Sequence, residues 1–512
     1  MRRISDQHHE ALHRTAATRD VEQRAAKLLP PHTLMARAGA SVGRLTLALA
    51  PHAHHIWVAC GPGNNGGDGL VAATWLQQHS QAHGSGLRLC VTLAADAQQL
   101  PQDAAWALRQ ALAAGIQLAA EPPETFDFAI DALLGIGATR PMSGQLVSHW
   151  QRLAHTPQPT LSVDVPSGLH ADTGALMNPA PTSSERFGHR STLSLLTLKP
   201  GLFTAQGRDF AGTVWLDDLG VSSAALPSPD ACLRGRPQQA PRPAPRHAAH
   251  KGSQGEVLVI GGQGMDQGGI GMSGAAVLAA RAALYAGAGR VYLSLLQSTE
   301  PTWGWDPVCP ELMLRSPTAA LEGNLVERSV VVCGCGGGSA VAEHLPTVLR
   351  RANTLVLDAD ALNAIASQPL CQQWLADRRH RTCTTVLTPH PLEAARLLGS
   401  TTEHVMADRL ATAQAISDRW GVICALKGSG TVICAPGSTP WINASGNGLL
   451  ATAGTGDALA GMIGATLATH TQVPVDGVAE AVFEHGRIAD QWLEAHGARG
   501  FTAGVLTRHA SH

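Results

Sequence analysis

A chain of 512 residues and 53.3 kDa exceeds what one hydrophobic core usually serves, roughly 250 to 300 residues, so two domains are expected. With 44% hydrophobic and 15% charged residues, 54 Gly and 31 Pro, the composition suits packed cores joined by tight turns and excludes long disorder. A formal charge of -2 leaves no basic field for a nucleic acid or an anionic membrane, which turns attention to small-molecule chemistry.

The ten cysteines are scattered without a CxxC pair, as in a reduced, cytoplasmic protein. Cys333 and Cys335 end an apolar run and enter a glycine turn, where buried turn residues are a better reading than half a metal site. Arg2 and Arg3 precede no apolar stretch, and nowhere do about 18 apolar residues run together, so neither secretion nor membrane spanning is expected.

In chain order, apolar runs at Ile56–Cys60, Leu87–Leu93, Phe128–Ala132, Thr160–Val165, Thr192–Leu198 and Val214–Leu216 alternate with helical stretches such as Leu70–Gln81 and Pro101–Ala114. Runs this apolar suit strands covered on both faces, so the first 223 residues read as a doubly wound α/β sheet. Residues 224–246 are rich in Pro, Arg, Ser and Ala and read as an exposed linker. From 247 to 512 a second α/β series follows. Its strands lie at Glu256–Ile260 and near Val291, Val330, Leu355, Val386, Val422 and Val432, with an Ala-rich helix from about Gly274 and closing helices near Asp457–Ala468 and Val478–Glu494.

The turn Gly61-Pro62-Gly63-Asn64-Asn65-Gly66-Gly67-Asp68-Gly69 follows a predicted strand and opens a helix. Glycines there admit a close ligand, and the helix N-terminus favours an anion. The match to GxGxxG is weak alone, because no acidic partner stands about 20 residues on. Asn64, Asn65 and Asp68 add side-chain oxygens, and oxygen-bearing turns recur at Asp131 and at Asp164 with Ser167. Strand C-termini gather in one crevice of such a sheet, so the three turns are expected to meet, although Asn, Asp and Ser also simply make turns. The histidines at 52, 54 and 55 read as a solvated loop rather than a metal site.

In the second half, Lys251-Gly252 leads to a glycine-rich strand end and Met272-Ser273-Gly274-Ala275-Ala276 opens a helix, small residues that close packing alone would explain. Thr388-Pro389-His390-Pro391 fixes a histidine at a strand end, as a ligand contact or a structural residue. Lys427-Gly428-Ser429-Gly430-Thr431 precedes Gly454-Thr455-Gly456-Asp457 at a helix start. Backbone N–H groups there cradle a phosphoryl group and Asp457 is placed to accept a hydroxyl proton, whereas the helix dipole explains the aspartate but not the glycines. Trp303 and Trp305 receive no role.

The first 220 or so residues resemble the NAD(P)H-hydrate epimerase domain, through Leu34-Met35-Ala36-Arg37-Ala38-Gly39, the Asn-Asn-Gly-Gly-Asp turn, the Asp131 turn and the stretch from Ser162 to Leu169. The resemblance implies potassium ligands at Asn65, Asp131 and Ser167. It also implies contacts to the hydrated cofactor at Asn64, Asn65, Gly66, Gly67 and Asp68, at Gly135, Ile136, Gly137, Ala138, Thr139, Arg140 and Pro141, and at Asp164. Asp164 is the candidate acid/base, expected in an apolar setting. The region from 247 resembles the ADP-dependent NAD(P)H-hydrate dehydratase of the ribokinase-like fold. That implies adenine-nucleotide contacts at Lys427, Gly428, Ser429, Gly430 and Thr431 and at Gly456, contacts to the hydrated cofactor at Ala275, His390 and Asp457, a cofactor-binding role for Gly336, and Mg²⁺ shielding the phosphates. One departure is Gly334-Cys335-Gly336-Gly337-Gly338, where the family has Gly-Pro-Gly-Leu-Gly and a stiffer loop.

Both resemblances together imply a bifunctional isomerase and lyase that repairs hydrated NADH and NADPH, as a homo-oligomer. Against this stand a kinase for a vitamin-like alcohol in the second half and a ligand-sensing or interaction module in the first.

Overall fold

The computed structural model describes residues 1–179, 188–222, 226–236, 247–248, 254–265, 269–297, 304–469 and 473–510. The chain forms two compact units, Met1–Ser5 with Glu10–Ala231 and Asp6–His9 with Cys232–His512.

In the first unit the strands lie in the order Arg2–Arg3, Thr213–Asp217, Arg190–Leu195, Thr160–Val163, Phe128–Ala132, His55–Cys60, Arg88–Leu93, Leu118–Ala119. All pair in parallel except Arg2–Arg3 at one edge. Ile56, Val58 and Cys60 join a core formed with the helices Thr33–Leu49 and Asn64–His83, while Trp57 and Ala59 join a second core with Trp150 and Leu153. Alternate side chains of one strand thus feed opposite faces, which is why the run is apolar throughout. The chain winds outward from His55–Cys60 in one direction through Arg88–Leu93 and in the other through Phe128–Ala132. The crevice between the C-terminal ends of those two central strands is the topological switch point, where open α/β sheets bind ligands.

The second unit repeats this logic. Its sheet runs Met313–Leu314, Arg290–Leu295, Glu256–Gly261, Val330–Cys333, Thr354–Leu357, Thr384–Leu387, Ile423–Leu426, Val432–Cys434, Trp441–Asn443, Ala231–Arg234, and the switch point falls between Glu256–Gly261 and Val330–Cys333. The helices Ser273–Tyr285 and Thr455–Thr469 cross so closely that a Cβ on Gly461 would stand 2.0 Å from the Ala279 carbonyl oxygen.

The linker reading needs correction in part. Cys232–Arg234 pair in parallel with Trp441–Asn443, and Ala231, Leu233 and Arg234 are buried. Ala-Cys-Leu is an apolar run able to extend a sheet, and the flanking prolines bound it without entering it. Residues 237–246 lie outside the described residues, as do Lys251, Gly252 and Trp303. Also unforeseen were the strand Trp441–Asn443 and the two N-terminal helices Thr15–Leu28 and Thr33–Leu49. All ten cysteines are free, and no described helix is long and apolar enough to cross a membrane.

Candidate active sites

At the first switch point a cavity of about 640 Å³ is walled by the turns that follow the two central strands. Asn64, Asn65 and Asp68 come from the N-terminal end of the helix Asn64–His83. Leu133 to Ala138 come from the loop after Phe128–Ala132, and Asp164 from the end of Thr160–Val163. The helix Thr15–Leu28 contributes Thr18, Arg19 and Glu22.

Close backbone approach explains the glycines. A Cβ on Gly61 would stand 1.8 Å from the Leu133 carbonyl oxygen, and one on Gly66 2.1 Å from that of Gly61. Gly66 and Gly67, expected to touch the ligand, are not in the cavity wall, because Gly66 backs onto Gly61 and Gly67 onto Met35. The wall stops at Ala138. Thr139, Arg140 and Pro141 are exposed beyond it.

Asp131 is buried and anchors the two later turns. It accepts from Ser167 Oγ at 2.6 Å and Ser167 N at 2.9 Å, and more weakly from Ser162 Oγ and Leu133 N at 3.3 Å. Ser167 Oγ in turn accepts from Leu134 N at 2.9 Å. Burial raises the Asp131 carboxyl, and its hydrogen bonds from Ser167 oppose that rise. The Asn65 side chain packs on Gly135, and its buried Nδ2 has no partner among the described residues. A carboxamide can turn over and present oxygen to the same spot, so Asn65, Asp131 and Ser167 are an oxygen donor set that fits a hard monovalent cation.

Asp164 does not sit in the apolar setting expected of it. Lys199, buried completely, donates from Nζ to Asp164 Oδ1 and to the Leu195 carbonyl at 2.8 Å, and Leu195 N donates to the same carboxylate at 3.1 Å. Its backbone is left-handed, φ 66°, an uncommon conformation for aspartate that turns the side chain out of the strand. Of the other carboxyls in the cavity wall, Asp68 is held well above the usual range by burial and by Asp164, and Glu22 is raised by burial and again by Asp164.

In the second unit the residues just past four parallel strands converge: Cys335, Asp358, Thr388 and Lys427. Lys427 Nζ donates to Asp358 Oδ1 at 2.6 Å, and Thr388 Oγ1 donates to the same oxygen at 2.8 Å. Ligand atoms of Cys335, Asp358 and Asp457 all lie within 4.8 Å of one another. Asp457 is raised to about 6 by burial and by the neighbouring Asp358. Two carboxylates suit a hard divalent cation such as Mg²⁺, whereas the thiol adds nothing to it. A Cβ on Gly456 would lie 3.3 Å from Lys427 Nζ, so the lysine reaches the start of the helix Thr455–Thr469. Burial lowers the Lys427 ammonium, but Asp358 and Glu393 outweigh it and the net shift is upward.

The loop Gly428-Ser429-Gly430 is supported from below by buried Arg409, whose guanidinium donates to the carbonyls of Leu426 at 3.1 Å and Lys427 at 3.3 Å. Thr431 Oγ1 closes it on the Gly428 carbonyl at 3.2 Å. Ala275 and Gly336 face each other, a Cβ on Gly336 standing 2.8 Å from that of Ala275. The glycine loop 334–338 is stiffer than its sequence suggests. Gln263 N donates to Gly336 O at 2.6 Å, Ser339 N to Gln263 Oε1 at 2.9 Å and Gly338 N to Asp360 Oδ2 at 2.8 Å. His390 turns out to be a helix cap. Its Nδ1 accepts from Leu392 N and Glu393 N, and Glu393 Oε2 accepts from His390 N at 2.8 Å, a reciprocal capping box with histidine in the usual Ser/Thr place. The ring is half-exposed, and its Nε2 lies 3.2 Å from Glu393 Oε1.

A family model described as NAD(P)H-hydrate dehydratase matches residues 257–511, and one described as YjeF-related protein N-terminus matches 31–201. The bifunctional NAD(P)H-hydrate repair enzyme Nnr of Escherichia coli is 36% identical over 92% of this chain and 87% of its own length. The enzyme of the same name from Coxiella burnetii is 33% identical over 97% and 98%. The chain belongs to the bifunctional NAD(P)H-hydrate repair enzyme family. Among solved structures, the ADP/ATP-dependent NAD(P)H-hydrate dehydratase of Bacillus subtilis, co-crystallized with ATP/Mg²⁺, is 29% identical over 52% of this chain and 91% of its own, with a TM-score of 0.43.

In this member of the repair enzyme family, sequence reasoning missed Lys199, Asp358, Thr388 and Cys335 as parts of the sites. Lys199 and Asp358 each had a signal, a lone charge directly after an apolar strand run. His52 and His54 are exposed, in keeping with a solvated loop.

Proposed function

We propose that the first unit interconverts the R and S epimers of hydrated NADH and NADPH, and that the second dehydrates the S epimer with ADP as co-substrate. The observation that carries this is the presence, past the strand C-terminal ends of each unit, of a lysine bonded to a buried aspartate beside an anion-cradling turn. Inversion at the hydrated ring carbon needs the hydroxyl to leave and return, or the ring to open. Either route needs one group to give a proton and one to take it, and Lys199 with Asp164 supplies both. Asn65, Asp131 and Ser167 would hold K⁺, which when bound offsets the buried charge of Asp131 and fixes the loop against which the ligand lies. Asn64, Asp68 and Gly135 to Ala138 form the contact wall.

In the second unit, the Lys427 to Thr431 loop and Gly456 bind the nucleotide, and Asp358 would hold Mg²⁺, which shields the phosphates. Asp457 takes the proton of the ring hydroxyl as that oxygen attacks the β-phosphorus of ADP and AMP leaves. The C–O bond then breaks, phosphate departs in place of hydroxide, and loss of a ring proton restores the reduced nicotinamide. Ala275, Gly336 and the rim of His390 position the ring. A vitamin-like alcohol kinase with a sensing module is not favoured, because relatives matched across both units share a single repair name.

The deciding experiment incubates the full chain with mixed epimers of hydrated NADH. Exchange between epimers without ADP, and return of reduced-nicotinamide absorbance only with ADP, are expected. Asp164→Asn should abolish exchange and keep dehydration, and full exchange in that variant removes the assignment. Radiolabelled β-phosphate that never enters the hydrated cofactor removes the phosphorylation step.

A further inference from the structure

We propose that Arg19 is the phosphate anchor of the N-terminal cavity, gripping a phosphate of the hydrated dinucleotide so that its nicotinamide end meets Asp164. The inference rests on the epimerase reading above. The cavity wall carries four carboxyl residues, Glu22, Asp68, Asp103 and Asp164, while Arg19 is the one arginine or lysine among its lining residues. Of the neighbouring basic residues, Lys199 is bonded to Asp164, and His32 Nδ1 lies 2.6 Å from Asp103 Oδ1. A dinucleotide brings at least two negative charges on its pyrophosphate, and Arg19 is the lining cation not bonded to one of these carboxylates.

Arg19 is placed for that. The helix Thr15–Leu28 is fixed by Thr15, whose N and Oγ1 donate to Asp172 at 2.7 and 2.8 Å, and by the Thr18–Thr197 hydroxyl pair at 2.7 Å. It therefore presents Thr18, Arg19 and Glu22 to the cavity as a rigid face. Arg24 on the same helix is spent on Asp20 at 2.6 Å, and Arg37 on the Leu219 carbonyl at 2.6 Å. Arg19 makes no hydrogen bond or ion pair among the described residues, and it is exposed. Its Nη2 reaches to 3.3 Å from where a Cβ on Gly137 would stand, so the absence of a side chain at 137 leaves the guanidinium room beside the Gly135–Ala138 turn. A planar fork of N–H donors beside an open glycine turn suits bidentate grip of phosphate oxygens. Arg19 also precedes the span 31–201 that the N-terminal family model matches, so none of the motifs assigns it.

The test measures epimer exchange without ADP in the full chain, on hydrated NADH and hydrated NADPH, for wild type, Arg19→Ala and Arg19→Lys. Loss of one charge-assisted phosphate contact should raise KM about tenfold in Arg19→Ala with kcat within about twofold, and Arg19→Lys should recover part of it. An equal rise for both substrates places the contact on the pyrophosphate, and a rise confined to hydrated NADPH places it on the 2′-phosphate. Unchanged KM on both substrates, or a fall in kcat at constant KM, overturns the anchor while leaving the epimerase reading intact. A wild type without any exchange overturns that reading and the anchor with it.

Discussion

Burial beside Asp358 raises the Asp457 carboxyl to about 6, so it is mostly ionised at neutral pH and still basic enough to take a hydroxyl proton. Dehydration should therefore fall as pH drops through about 6, and Asp457→Asn should lose roughly 100-fold or more in rate while epimer exchange is unaffected. Steady-state rates across pH, taken for both activities, check this. His485 is the opposite case. Its Nε2 lies 2.9 Å from the Thr455 carbonyl at the start of the same helix, and burial lowers the ring to about 4 from 6.5. Above pH 6.5 neither state of the chain protonates it. Below, the unfolded chain takes the proton that the folded one refuses, so stability should fall between pH 6.5 and 4, by roughly 3 kcal/mol in all. Denaturant unfolding at steps of pH should show this slope, and His485→Gln should lack its share.

Glycines decide how closely elements pack, and the cost of a methyl group measures it. Where the helices Ser273–Tyr285 and Thr455–Thr469 cross, Gly461→Ala would drive a carbon into the Ala279 carbonyl. The expected loss is about 1–3 kcal/mol, seen as a lower Tm, with dehydration impaired because the same helix carries Asp457. Element identity was legible at this scale. Strands such as Ile56–Cys60 announced themselves because both faces are buried. The N-terminal helix Thr15–Leu28 did not, since its polar sequence buries only Thr18, Val21 and Ala25. His390 was ambiguous for a related reason: a histidine in a capping box uses the same atoms that would meet a ligand.

For the whole molecule, the two units each carry their own switch point and their own lysine–aspartate pair. The activities should therefore be separable by ions and co-substrate. Replacing K⁺ with choline should suppress epimer exchange while pure S epimer is still dehydrated with ADP, and omitting ADP should do the reverse. Loss of both activities on K⁺ removal would contradict the placement of the cation at Asn65, Asp131 and Ser167. The linker shows the limit of composition: 224–246 reads as polar tether, yet Ala231–Arg234 joins a sheet beside Trp441–Asn443.

Periodicity and turn residues by themselves determined two α/β units, the glycine turns after their central strands and the presence of Asp164 and Asp457 there, because burial on both faces and left-handed turns each demand particular residue types locally. Only the tertiary structure decided that Lys199 neutralises Asp164, that Lys427 bridges Asp358 to the helix start, that Gly66 serves packing, and that Arg19 faces an acidic cavity. Those pairings join residues from separate strands and helices, and attraction between charges brought together by packing leaves no trace in the spacing of either one.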